Sequence, residues 1–190
     1  MDMALRMLGR SSPGGRKWLA IAAAAALIAV AVVVGAVLAR GNGATVASAP
    51  PGSKGIAAPS LSGTSPIDGR HVSLAAFAGK PVVINIWASW CPGCNEEAAD
   101  LRRFAAAHPE AQVLGLDIQD TRGGARAFYR RWAWKHPTIF DPDGSIAARF
   151  GLQGLPTTLF LNKEHRIVGR IVGAGDLARF NEGLRRAEGA

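Results

Sequence analysis

The sequence predicts one α/β domain with a mixed central sheet, preceded by a single apolar segment long enough to cross a membrane. Three observations predict it. A chain of 190 residues has room for one ordinary domain plus an extension. From Val82 onward, apolar strand-like runs alternate with helical stretches, the order that builds layered α/β sheets. Finally, the run from Leu19 to Ala39 carries no charge and no polar side chain.

The leader, residues 1–18, holds Arg6, Arg10, Arg16 and Lys17 against the single acid Asp2. Residues 19–39 would span about 31 Å as a helix, enough for a bilayer core. The basic leader predicts a cytoplasmic N-terminus and places everything after Arg40 across the membrane. The competing reading is a cleaved signal peptide. Its apolar part normally runs about 7 to 15 residues, shorter than this one, and the small-residue site Ala47-Ser48-Ala49 lies well beyond the apolar end. An uncleaved anchor is therefore expected. Residues 40–60 are rich in Gly, Ala, Ser and Pro, with Lys54 between Arg40 and the domain as the one further charge. Such a stretch cannot bury enough apolar surface to order itself and predicts a flexible tether. The folded domain is expected over residues 61–190.

The formal charge of +8 points to nucleic acid only until it is located. Residues 1–40 hold five bases and one acid, Lys54 adds one charge, and the remainder is nearly balanced. Membrane topology accounts for the leader, and no nucleic-acid motif accompanies the rest. No nucleic-acid partner is expected.

Within the domain, Asp68-Gly69 marks a turn, with His71-Val72-Ser73-Leu74 as the second arm of a short N-terminal hairpin. Lys80-Pro81 introduces the strand Val82–Trp87, whose near-continuous apolarity predicts burial on both faces. Pro92 opens a helix to about Ala107, with Leu101 and Phe104 inward. Gln112–Ile118 is a second strand and Thr121–Trp134 a second helix. Thr157–Leu161 and Arg166–Val172 are strands joined by Asn162-Lys163-Glu164-His165. Asp176 caps a last helix through Arg186.

The chemistry sits in Trp87-Ala88-Ser89-Trp90-Cys91-Pro92-Gly93-Cys94, which holds both cysteines of the chain. A structural zinc site would need two more ligands at matched spacing, but His71, His108, His136 and His165 are scattered singly. Haem attachment needs His directly after the second cysteine, where Asn95 stands. A purely structural disulfide over so short a loop would remove little unfolded-state entropy. A redox-active dithiol remains. Cys91, at the start of the helix, has its thiolate favoured by free N–H groups and the dipole. Pro92 suits a first helical position, and Gly93 leaves the backbone beside the dithiol uncovered. Cys94, one turn inward, is placed to resolve a mixed disulfide at Cys91. Trp90 offers flat apolar surface to a docking peptide or simply packs. For Trp87, strand alternation favours burial. Arg122, Arg126 and Arg130 recur at helical spacing, with Arg131 and Lys135 beyond, and predict a solvated face.

WASWCPGC, followed by Leu155-Pro156-Thr157-Thr158, resembles the thioredoxin superfamily. Within it, the chain is similar to the membrane-anchored TlpA/ResA/CcmG (DsbE) branch over residues 60–188. Supporting pieces are Gly79-Lys80-Pro81, Phe140-Asp141-Pro142-Asp143-Gly144 and Thr158-Leu159-Phe160-Leu161. The resemblance implies a thioredoxin-like fold and a cis Leu155–Pro156 bond facing the dithiol, with Leu155 and Pro156 on the substrate side. Asn85 stands where cytoplasmic thioredoxins carry a buried Asp, as in TlpA-like members. Glu97 matches the acid of the branch's W-C-x-x-C-x-x-E pattern, either tuning the thiols or capping and pairing on the helix. The family's helix-kinking Pro is replaced by Ala99. Thr157 takes the place of the Glu that many members carry after the cis proline, so no acid role transfers there.

The resemblance implies an extracytoplasmic protein thiol:disulfide oxidoreductase without cofactor or metal, expected as a monomer. Its usual task in the branch would be reducing cysteines of an apocytochrome c or a copper-site protein, with electrons from a membrane donor of the CcdA/DsbD kind. The same scaffold run in reverse is an oxidant for secreted proteins. Direction depends on the potential, which spans roughly −270 to −120 mV across the superfamily. A non-catalytic binding or copper-handling module is the alternative of another class. Thiolates suit Cu(I), but no Met or His cluster supports it. A thiol peroxidase would need a different cysteine context.

Overall fold

The computed structural model describes residues 46–48 and 55–190. The expected leader 1–18 and the expected anchor 19–39 lie outside the described residues, as do 40–45 and 49–54. Among those described, no helix is long and apolar enough to cross a membrane. In chain order the strands are β1 (Val46–Ser48), β2 (Ile56–Ala57), β3 (Ser62–Thr64), β4 (His71–Ser73), β5 (Val82–Trp87), β6 (Gln112–Ile118), β7 (Thr138–Asp141), β8 (Thr157–Leu161) and β9 (Arg166–Val172). The helices are α1 (Pro92–Ala107), α2 (Arg122–Trp132), α3 (Ser145–Arg149) and α4 (Leu177–Glu188), with a 3-10 turn at Leu74–Phe77.

All six side chains of β5 are buried, so this strand occupies the middle of the sheet. It runs parallel to β6 and antiparallel to β8. β7 joins parallel to β6, and β9 pairs antiparallel with β8. The mixed sheet is thus ordered β1-β9-β8-β5-β6-β7, with β2 also on β9, while β3 and β4 form a separate hairpin. Period-2 alternation sorts the side chains into two cores. Val83, Trp87, Phe160 and Ile171 pack with Leu101 and Phe104 of α1, Phe128 of α2 and Phe180 of α4. On the opposite face Ile84, Ile86, Leu114, Leu116 and Leu159 pack with Leu61 and Leu74 from the hairpin region and Phe150 after α3.

Three differences from the sequence reading have physical causes. The tether over residues 40–60 contributes two short strands, because β1 and β2 both pair with β9. Ladder pairing uses backbone groups that any composition supplies. The second helix is shorter than expected. Thr121 is its N-cap, accepting the Gly124 N–H at 3.0 Å, and it ends at Trp132 because Ala133 turns left-handed, φ 52°. β7 and α3 were not anticipated; each is five residues or shorter, too brief to show a period.

Candidate active site

β5 delivers the chain into the turn Ala88–Cys91, and α1 carries it away. Cys91 is the N-cap of α1. Its Sγ accepts the Cys94 N–H at 3.2 Å, and Pro92 fills the first helical position. Cys91 and Cys94 are joined in a disulfide with Cα atoms 5.3 Å apart. The sulfur of Cys91 therefore sits where an anion meets unsatisfied helix N–H groups. Cys94 is fully buried, and Cys91 keeps a small exposed face on the groove described below.

The Leu155–Pro156 peptide bond is cis. The buried Pro156 packs against the dithiol segment: a Cβ added to Gly93 would lie 3.0 Å from Pro156 Cδ. A side chain at position 93 would crowd the Pro156 ring, which would have to give by a few tenths of an ångström. Leu155 is half-buried beside it.

Trp90 projects into solvent, 57 % exposed, while its Nε1–H donates to the Gln119 carbonyl at 2.9 Å. Between these walls runs a groove of about 480 Å³ lined by Trp90, Cys91, Pro92, Ile118, Leu152 and Leu155 among others, with no charged side chain among its lining residues.

Behind the dithiol lies a polar network in an apolar core. Glu97 is one turn beyond Cys94 on α1 and almost fully buried. Its Oε2 accepts the Gly175 N–H at 2.8 Å, and its Oε1 accepts Asn85 Nδ2–H at 2.7 Å. Asn85 Nδ2 also donates to Thr158 Oγ1 at 3.0 Å. Burial raises the Glu97 carboxyl from 4.5 to about 7, against the downward pull of the Gly175 and Asn85 hydrogen bonds. Asn85 thus serves as partner to the acid. Helix capping by Glu97, left open from sequence, does not occur: the carboxylate faces inward and binds other elements.

Every residue singled out from the sequence for this site lies around the dithiol or in the network behind it. The other residues considered there have structural roles. Trp87 is buried, its ring centroid 4.7 Å from Phe128 and 5.3 Å from Trp134. Arg122 and Arg126 reach back to the hairpin loop, donating to the carbonyls of Ser65 and Pro66. Sequence reasoning missed Asp120, which ties the dithiol turn to the turn after β6 through Ser89. It also missed Asp117, although a lone acid in the strand Leu114-Gly115-Leu116-Asp117-Ile118 was a usable signal.

A family model described as Redoxin matches residues 52–184. The chain belongs to the Redoxin family. It is 26% identical over 122 residues to the thiol-disulfide oxidoreductase ResA of Bacillus thuringiensis subsp. konkukian, covering 63% of this chain and 70% of that one. It is 36% identical over 98 residues to the thiol:disulfide interchange protein DsbE of Allochromatium vinosum, about half of each chain at 49% and 54%. A solved DsbF homologue from Corynebacterium diphtheriae superposes with a TM-score of 0.69 at 26% identity, covering 76% of this chain and 94% of that one. The fold is accordingly the thioredoxin-like α/β fold, and the protein is a thiol:disulfide oxidoreductase of the ResA/DsbE type with a Cys-x-x-Cys pair.

Proposed function

We propose that the chain works outside the cytoplasm, held to the membrane by residues 19–39, as a reductant of protein disulfides. In its reduced form the Cys91 thiolate attacks a substrate disulfide, forming a mixed disulfide and releasing one substrate thiol. Cys94, losing its proton, attacks Cys91 Sγ, so that the second substrate thiol departs and the Cys91–Cys94 disulfide forms. Two electrons pass to the substrate in the cycle. A membrane donor of the CcdA/DsbD kind returns them. Cysteine pairs of an apocytochrome c or of a copper-site protein are the substrate class, read from resemblance to the branch. Trp90, Leu155 and Pro156 hold the substrate segment, with Gly93 and Pro92 leaving the sulfur accessible.

The observation that carries the exchange chemistry is the Cys91–Cys94 pair at the start of α1 with Glu97 buried one turn behind it, its carboxyl raised to about 7; the reducing direction is read from resemblance to the branch. A carboxylate of that affinity is matched to accept the Cys94 proton near neutral pH. Asn85 cannot accept a proton but steers the carboxylate through its amide.

The decisive measurement is the reduction potential of residues 44–190, the compact unit that holds every strand, equilibrated against glutathione. A value near −270 mV is expected, and one near −120 mV assigns the chain to disulfide donation instead. Cys94→Ser should trap a mixed disulfide and Cys91→Ser should abolish exchange. Modification of Cys91 in intact, mildly reduced cells by a membrane-impermeant thiol reagent tests the orientation.

A further inference from the structure

A second buried acid lies on the same face of the sheet as Glu97. Asp117 is fully buried near the end of β6, with Trp87 of β5 and Phe140 of β7 as its register neighbours. Among the described residues, neither of its carboxyl oxygens meets a hydrogen-bond donor. An ionised carboxylate in that position would forfeit its hydration with nothing in return, a cost of several kcal/mol. The neutral acid avoids this cost and has a proton to donate. The Asp120 carboxylate, three residues on, acts on Asp117 and is the acceptor available to that proton.

Asp120 is itself committed to the dithiol turn. Its Oδ2 accepts the Ser89 N–H at 2.6 Å and its Oδ1 accepts the Ser89 Oγ–H at 2.9 Å. Oδ1 also accepts the Thr121 N–H at 2.6 Å, at the N-cap of α2. Ser89 is two residues before Cys91, and between them Trp90 is pinned to the Gln119 carbonyl. The β6–α2 turn therefore grips the segment that presents the nucleophile and one wall of its groove.

We propose that Asp117 is a positioning residue of the dithiol: as the neutral acid it hydrogen-bonds Asp120 and holds the Ser89-Trp90-Cys91 turn, and on losing its proton it loosens that grip by carboxylate repulsion. Burial, and then the nearby Asp120 charge, raise the Asp117 carboxyl to about 8. The surrounding groups do not offset this. From α2, Tyr129 is buried, its phenol pushed upward by burial, and its hydroxyl donates to the His136 carbonyl. Arg122 lies over the Phe140 ring, 4.7 Å from its centroid, and reaches the Ser65 carbonyl. Below Tyr129, burial lowers the His136 imidazole to about 3 and keeps it neutral. On β7, Asp141 accepts the Ile146 and Ala147 N–H groups. Trp87 and Phe140 carry no titrating group.

This inference rests on Cys91–Cys94 as the reactive pair, but its test needs neither a substrate nor a direction of electron flow. The full chain, oxidised and in detergent micelles, is followed by NMR from pH 6 to 9.5, where no thiol titrates because both cysteines are paired. The Ser89 amide should show a single step centred near pH 8, coincident with the Asp117 carboxyl carbon. Asp117→Asn keeps a donor to Asp120 but cannot ionise, and should abolish the step. Asp120→Asn should uncouple the two, so that the Asp117 carboxyl titrates at lower pH while Ser89 stays flat. Glu97→Gln should leave the step in place. A Ser89 amide that is flat in the wild type, or a step that survives Asp117→Asn, overturns the proposal. Should Asp117→Asn not fold, the wild type and Asp120→Asn alone decide it. A wrong electron direction in the function proposed above would leave all these outcomes unchanged.

Discussion

Replacing Glu97 with Gln should remove a pH dependence of stability whose size follows from the site. In the folded protein burial holds the Glu97 carboxyl at about 7, against 4.5 in its absence. Below pH 4.5 both folded and unfolded chains carry the proton, and the full stability is present. Between 4.5 and 7 the unfolded chain releases its proton while the folded chain retains it, so stability falls as pH rises. Above 7 the carboxyl is ionised in both states and the loss is complete. At 1.36 kcal/mol per pH unit across that window, the loss amounts to about 3 kcal/mol. The assay is urea unfolding of oxidised residues 44–190, wild type against Glu97→Gln, at pH 4.5, 6 and 8. For a urea slope of about 2 kcal/mol/M, the difference between the two midpoints should change by roughly 1.5 M between the lowest and highest pH. Asp117 contributes to both proteins alike and cancels in the difference. If wild type and variant run parallel across the range, the Glu97 carboxyl is not raised on folding, and its role as proton acceptor for Cys94 fails.

Asn85→Ala removes one of the two donors to Glu97 and should lift its carboxyl above about 7, read from the carboxyl carbon shift against pH. Trp90→Ala removes the most exposed wall of the groove. It should raise KM for a protein disulfide about tenfold, as loss of an aromatic anchor does, while exchange with glutathione disulfide is little changed. Gly183→Ala should gain about 1 kcal/mol in helix propensity. Its new methyl, however, would overlap Cζ, Cε1 and Cε2 of the fully buried Phe160 ring, and overpacking costs about 1 to 3 kcal/mol. A net loss in thermal unfolding is therefore expected, partly recovered in Gly183→Ala/Phe160→Leu; a more stable Gly183→Ala would refute this account of α4 packing.

The fold was most legible where a period and a stop signal coincide. β5, β6, β8 and β9 are five to seven residues of dense apolar or alternating pattern, and α1 is bounded by Pro92 at its start. β7 was hidden between Pro137 and Pro142, and β1 and β2 by a composition that argues for disorder even though their pairing is made by the backbone. At the site, Cys91 and Cys94 announced themselves through spacing, and Asn85 and Glu97 through the resemblance to the branch. The partners that define what Glu97 does were less visible. Gly175 contributes only a backbone N–H from 78 residues away in sequence, and no side-chain pattern encodes that. Asp120 and Ser89 are ordinary turn residues in sequence, and only the meeting of two turns makes them a clamp.

The uncharged lining of the groove has a consequence for how partners are chosen. Long-range attraction between opposite charges accelerates encounter and makes it salt-sensitive. A groove without charge adds nothing to that attraction at the point of contact, and any steering comes from charged side chains elsewhere on the surface. Discrimination between correct and incorrect chains then falls to the lifetime of the encounter, set by how well an apolar segment fits beside Trp90 and Leu155 before Cys91 reacts.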